Sequence, residues 1–182
     1  RPEMMMHPND GCPGGEPYWA ARYFDDAQHI GWGQFVRLAY LPGYYRDVGL
    51  GSTVVFELIV IRVGFNGSTR HWELVNVFYS AHFTRLNDNS GYYSWNQLQY
   101  PSGVSKSYPR VWVAQSKHAN YRAQNDCGEL YEGSIDNCNG NVSAGRFAIY
   151  ESHNIGGYNR PLLNCVASQN TAYMNNGRQE CF

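Results

Sequence analysis

Residues 54–80 read VVFELIVIRV GFNGSTR HWELVNVFYS, and this stretch decides the fold. Val54–Val63 is the most apolar segment of the chain, with four valines and two isoleucines. Such β-branched residues favour extended backbone over helix. Trp72–Ser80 is a second run rich in Val and aromatic residues, and the Asn66-Gly67 pair between the runs is typical of a turn. The stretch therefore predicts an antiparallel hairpin with its turn at Gly64–Arg70.

The rest of the chain predicts more strands and few helices. Three further strands are predicted at Gln34–Leu41, Arg110–Ser116 and Gly145–Glu151. Residues 1–33 are rich in Pro and Gly and predict an N-terminal arm packed on the sandwich, with a short helical turn at Trp19–Phe24. Residues 84–109 are polar and aromatic, which is typical of a long binding loop. The sequence thus predicts an all-β fold: one domain over residues 1–182, an antiparallel β-sandwich with long loops and little helix.

Charge and hydropathy count against a nucleic-acid partner and against a transmembrane segment. Fifteen acidic residues against fourteen basic ones give a formal net charge of −1. A nucleic-acid-binding face normally shows as a basic excess, so no nucleic-acid partner is expected. No apolar run approaches the length that spans a bilayer, so no transmembrane segment is expected.

The cysteines point to an oxidising compartment. Five stand at Cys12, Cys127, Cys138, Cys165 and Cys181, and none forms a C-x-x-C motif. Wide spacing in Gly- and Asn-rich segments predicts disulfides and an extracellular, secreted protein. Cys127 and Cys138 close a short loop and are the predicted pair. Cys165 pairs with either Cys181 or Cys12, and unrelated intracellular thiols are the alternative.

His71 and Glu73 form the first candidate site. They stand two residues apart at the mouth of a predicted strand, so alternation sends both side chains to one face and Trp72 to the other. An imidazole beside a carboxylate can hold a metal, bind a polar ligand or move protons. The alternative is an ordinary surface pair. His118 follows another predicted strand at a sheet rim, where it either shares a cleft with this pair or is a hydrogen-bonded structural residue.

Three segments resemble a known superfamily. Arg70-His71-Trp72-Glu73 before a Val-rich strand resembles the signature of the necrosis- and ethylene-inducing peptide-like proteins and of the related vacuolar-sorting-type family. Residues 40–47 and residues 109–121, which end in His-Ala-Asn-Tyr, are also similar. The family motif is Gly-His-Arg-His-Asp-Trp-Glu or Gly-Asp-Trp-Glu. This chain departs from it, because the motif Asp falls on His71 and the first motif His on Ser68.

The resemblance implies a secreted β-sandwich with a divalent metal ion in a surface cleft. Glu73 matches the motif Glu, His118 the His after the later strand, and Asp47 an upstream Asp. The implied metal site is then Asp47, His71, Glu73 and His118. Two imidazoles in place of carboxylates move the preference from Mg or Ca toward Mn, Zn or Fe, or remove the metal.

Three functions follow as hypotheses. The first is a cytolysin- or toxin-like secreted protein that binds a glycan or glycolipid through the cleft, with Tyr44, Tyr45 and Trp95 stacking on sugar rings. The second is a metal-dependent secreted hydrolase or lyase that uses the same His and Glu. The third is a structural or adhesive extracellular module whose aromatic loops make protein contacts.

Overall fold

Strands make up nearly all the regular structure. The computed structural model describes residues 2–8, 14–25, 34–44, 55–81, 89–102, 108–115, 118–128, 130–131 and 134–146. The strands are β1 Glu3–Met6, β2 Gly14–Asp25, β3 Gln34–Tyr44, β4 Val55–Phe56, β5 Ile59–Asn66, β6 His71–Tyr79, β7 Gly91–Ser94, β8 Arg110–Val113, β9 Asn120–Tyr121, β10 Leu130–Tyr131, β11 Ser134–Ile135 and β12 Val142–Arg146. Two short 3-10 turns lie at Trp95–Gln97 and Gln124–Asp126.

Two sheets pack against each other. The larger has the order β2-β3-β5-β6-β7, with β4 also paired to β3, and is antiparallel throughout. The smaller has the order β12-β1-β8-β9, in which β1 runs parallel to β8. Strands β10 and β11 form a separate two-stranded ribbon. The all-β fold with mostly antiparallel strands is confirmed.

The predicted central hairpin is also confirmed. Strands β5 and β6 pair from Asn66 opposite His71 to Ile59 opposite Tyr79. The side chain of Asn66 organises the turn, because its Oδ1 accepts the backbone N–H groups of Ser68 (3.0 Å) and Thr69 (3.3 Å). This hairpin carries Phe65, His71, Trp72 and Glu73, which are discussed below.

Alternation along the strands divides the interior into clusters. The cluster between the sheets contains Met4, Met6, Tyr40, Ile59, Ile61, Val77, Tyr79, Leu98, Val111 and Val113. A second cluster lies on the opposite face of the smaller sheet and contains Met5, Ala81, Trp112, Ala114, Ala119, Tyr121 and Cys138. Cys138 is bonded to Cys127, with a Cα–Cα distance of 5.8 Å, which confirms the predicted disulfide. The other three cysteines lie outside the described residues.

One expectation for the N-terminal region is wrong, and two further segments form strands that were not predicted. Trp19–Phe24, expected as a helical turn, belongs to β2 and pairs with β3 from Gly14 to Asp25. Residues 3–6, part of the predicted packed arm, form β1 inside the smaller sheet. Residues 91–94 of the expected binding loop form β7. In each case pairing with a distant strand decides the conformation, which local composition does not reveal.

Several strand boundaries also differ from the prediction. The long strand expected at Val54–Val63 is broken at Glu57-Leu58 into β4 and β5. The last strand runs over Val142–Arg146, and residues 147–151 of the predicted one lie outside the described part of the chain.

Candidate functional site

The predicted site residues lie at opposite ends of β6. His71 and Glu73 stand at the beginning of this strand. His118 lies beyond its far end, where the backbone N–H of Asn120 donates to the carbonyl of Ser80 over 2.9 Å. Ser80 follows His71 by nine residues, about 30 Å along an extended strand. The structure therefore does not bring His118 into one cleft with the His71–Glu73 pair, and Asp47 lies outside the described residues.

Glu73 braces the hairpin turn. Its Oε1 accepts hydrogen bonds from the Asn66 side-chain amide (3.1 Å) and from the Thr69 hydroxyl (2.6 Å). The register confirms that His71 and Glu73 share a face, since Asn66 pairs with His71 and Gly64 with Glu73. His71 itself is exposed. This geometry gives the motif-matching carboxylate a local structural task at the turn.

His118 is a core residue. Its side chain is 1% exposed, its backbone has a φ of +60°, and its N–H donates to the carbonyl of Ala114 over 2.8 Å. Burial penalises the charged imidazolium and lowers the pKa of His118 to about 4. The ring is therefore neutral at pH 7 and out of reach of a ligand in solution.

A buried polar contact closes the same end of β6. Ser80 is fully buried, accepts the backbone N–H of Leu58 at its Oγ over 2.6 Å, and donates its hydroxyl to the carboxylate of Glu57. Glu57 is 9% exposed. Its bond to Ser80 ties the segment after β4 to the end of β6. A nucleophilic role for this serine would require a substrate to enter the core.

The predicted metal site has no assembled counterpart in the part of the chain that the structure describes. Among those residues, no group of three or more His, Cys, Asp or Glu side chains lies close enough to hold a metal ion. The His71–Glu73 pair supplies two such groups on one face. A divalent metal at this pair therefore stays a prediction from the resemblance.

Of the predicted sugar-stacking residues, one can be placed. Trp95 begins the 3-10 turn after β7 and is 41% exposed. The Tyr100 hydroxyl donates to its carbonyl over 2.8 Å, which fixes the turn. Ser94 pairs with Asn76 of β6, so Trp95 continues beside the first half of that strand. Tyr45 and the side chain of Tyr44 lie outside what the structure describes.

Three aromatic residues at the same end form a surface that we call the aromatic platform: Tyr23, Phe65 and Trp72. Tyr23 is 53% and Trp72 48% exposed. Phe65 pairs with Trp72 across the hairpin, and their rings meet edge to face with centroids 5.6 Å apart. All three lie on the sheet face that the core residues Val63 and Leu74 also occupy.

That shared face follows from the register. Tyr23 pairs with Val36, Val36 with Val63, and Val63 with Leu74, so these four residues form one row across four strands. Val63 and Leu74 pack against the cluster between the sheets. Trp72 stands two residues before Leu74 and so points to the same side. Sequence reasoning missed the platform because strand pairing, which the sequence does not show, brings Tyr23 to this row.

No protein family, curated protein or solved structure matches this chain. The resemblance carried by residues 70–73 and 118–121 therefore stays a prediction. No helix among the described residues is long and apolar enough to cross a membrane. The site is accordingly interpreted from its own geometry.

Proposed function

We propose that this protein is a secreted carbohydrate-binding protein that holds a glycan on the aromatic platform. The observation that carries the proposal is the exposure of two large rings, Trp72 and Tyr23, on one face of a rigid antiparallel sheet. Exposed aromatic groups of this size, aligned on one face of a sheet, are suited to binding a ligand.

The chemistry of these rings fits a sugar. An aromatic ring carries partial negative charge on its face, whereas the C–H groups on one side of a pyranose carry partial positive charge. Stacking the two also removes apolar area of both from water. The edge-to-face contact with Phe65 fixes the orientation of the Trp72 ring before a ligand arrives. A pre-oriented ring loses little conformational freedom on binding.

The dimensions favour an oligosaccharide over a single sugar. Tyr23 on β2 and Trp72 on β6 are separated by three strand spacings, about 14 Å across the sheet. A chain of several rings laid across the strands would reach both aromatic residues. Trp95, which follows β7 beside the same half of β6, is a further exposed aromatic residue near this end of the sheet.

Secretion is part of the proposal. The Cys127–Cys138 disulfide supports it, since such bonds persist in oxidising compartments. The cytolytic activity that the resemblance implies would be a further consequence of binding glycolipid. Leakage of a dye from vesicles with and without glycolipid would test it separately from binding.

The test is retention on a set of immobilised neutral and acidic oligosaccharides. We expect Trp72→Ala to weaken binding about tenfold or more, because a stacked ring contributes about 1 kcal/mol beyond its buried area. Tyr23→Ala should weaken binding of longer oligosaccharides more than of short ones. Tyr108→Ala is the matched control, since Tyr108 packs against Arg146 on the smaller sheet.

The proposal fails if the wild type binds no oligosaccharide of the set, or if Trp72→Ala binds all of them as the wild type does. Metal analysis and a chelator arm with wild type and Glu73→Gln test the predicted divalent ion. Metal content that depends on Glu73 would place the ion at the His71–Glu73 pair, on the face of the sheet opposite Trp72. Equal metal content in both proteins would remove it and leave sugar stacking as the binding mode.

A further inference from the structure

Arg70 occupies an unfavourable backbone conformation at the tip of the hairpin. Its φ is +59°, in the left-handed region that favours Gly or Asn. Its N–H donates to the carbonyl of Asn66 over 2.7 Å, which holds the turn in this shape. Gly67, the turn's own glycine, is three positions earlier and does not relieve the strain. Strain kept at an exposed position calls for a reason beyond the fold.

The Arg70 guanidinium is available to a ligand. Its side chain is exposed, and it has no hydrogen-bond or ion-pair partner among the residues that the structure describes. Other arginines do form ion pairs, for example Arg110 with Glu3 over 2.8 Å. Arg70 therefore presents five N–H donors in a planar fork that matches a carboxylate or sulfate.

The position of Arg70 relative to the platform defines what it can reach. It precedes Trp72 by two residues, so their Cα atoms lie within about 7 Å. The nearest described carboxylate, Glu73, faces the opposite side of the sheet from Trp72 and is held by Asn66 and Thr69. The Arg70 guanidinium, carried on a long side chain, can therefore reach a group attached to a sugar that stacks on Trp72.

We infer that the platform selects acidic glycans, with Arg70 binding a carboxylate or sulfate attached to a sugar ring that stacks on Trp72. The inference rests on the proposed function and deepens it by naming the ligand class. The two parallel hydrogen bonds between the Arg70 guanidinium and the acidic group of the glycan involve no covalent bond and need no metal. Because the guanidinium is exposed, its contribution is screened by salt.

The test compares oligogalacturonate with its fully methyl-esterified form, which has the same rings without the charge. A heparin-derived hexasaccharide serves as the sulfated probe. We expect the wild type to bind the two acidic probes about tenfold more tightly than the methyl ester. Raising the salt concentration from 0.05 to 0.5 M should reduce that ratio, while binding of the methyl ester changes little.

Two variants at the same position separate charge from backbone. Arg70→Gly should abolish the preference for acid, keep binding of the methyl ester, and raise the melting temperature because glycine relieves the left-handed strain. Arg70→Lys should keep a reduced preference, since it retains the charge without the fork. A protein that becomes more stable while losing selectivity excludes misfolding as the cause.

The outcomes distinguish the two proposals. Equal wild-type affinity for acidic and esterified probes, no binding of any of the three probes, or an acid preference that survives Arg70→Gly, would overturn the inference. Trp72-dependent retention on neutral oligosaccharides would leave the proposed function standing in each of those cases. Absence of any Trp72-dependent retention overturns both.

Discussion

The two ends of β6 have the same kinds of residue and opposite environments. At the first end His71 and Trp72 are exposed beside a hydrogen-bonded turn. Past the second end Ser80 and His118 are sealed in the core. A histidine and an aromatic residue thus occur at both ends of β6, but only the exposed end can contact a ligand. The difference shows that whether a motif residue can contact a ligand depends on its exposure, which the motif does not encode.

The largest expected effect is the difference in stability loss between Phe78→Ala at the buried end of β6 and Trp72→Ala at the exposed end. Phe78 is 1% exposed and packs against Tyr92 with ring centroids 5.2 Å apart. We expect Phe78→Ala to cost about 3–5 kcal/mol of unfolding free energy, because it leaves a cavity. Trp72→Ala should cost less than about 1 kcal/mol and act on binding instead. Urea denaturation of both variants measures the contrast, and equal losses would contradict it.

The disulfide gives the next largest effect and acts on the buried end alone. Cys127 and Cys138 are 11 residues apart, and Cys138 packs in the same cluster as Ala81. Replacing both with Ser should lower stability by about 3 kcal/mol, mainly because the unfolded chain regains the freedom of that loop. Binding measured at low temperature, where the variant stays folded, should be unchanged. A loss of binding by the folded variant would show that the two ends are coupled.

The third prediction concerns pH at the buried end. Burial lowers the pKa of His118 to about 4 from an ordinary 6.5, so below pH 6.5 the unfolded chain takes up a proton that the folded chain refuses. Stability should therefore decrease as the pH is lowered from 6.5 to 4, by roughly 2–3 kcal/mol for this group. His118→Asn, which tolerates the positive φ, should remove this part of the dependence. An identical pH profile for wild type and variant would contradict a buried neutral imidazole.

The smallest expected effect is at the exposed turn. Glu73→Ala removes the acceptor that Asn66 and Thr69 share, and should cost about 0.5–1 kcal/mol because the contacts are partly exposed. Glu73→Gln keeps an acceptor oxygen and should cost less. Thermal melting resolves the order of the two. A loss above about 2 kcal/mol for Glu73→Ala would mean that the exposed end is as rigidly built as the buried one.

The sequence predicts local features of this fold well. The β5–β6 hairpin follows from two β-branched runs around Asn66-Gly67, and the Cys127–Cys138 bond follows from its short loop. The common face of His71 and Glu73 follows from the period of a strand. Each of these depends on residues that are close together in the chain.

What the sequence does not give is the placement of distant segments. Nothing near residues 3–6 or 19–24 indicates a partner strand, because the paired residues lie 11 to more than 100 positions away. The same limit misplaced His118, whose position depends on the backbone bond between Asn120 and Ser80. The aromatic platform was not predicted for the same reason, since Tyr23 joins it only through the register of four strands.

Strand β1 has a consequence for how the chain assembles. It lies between β8 and β12, and Asn141 ties it in place by donating its amide to the carbonyls of Met5 (2.9 Å) and Val113 (2.8 Å). Glu3 and Ser143, bonded over 2.7 Å, are 140 positions apart. Such separations slow folding, because a long loop must close before the contact forms. Until β1 pairs with them, β8 and β12 expose unpaired edges. Aggregation during refolding should therefore compete with the insertion of β1 between these two strands.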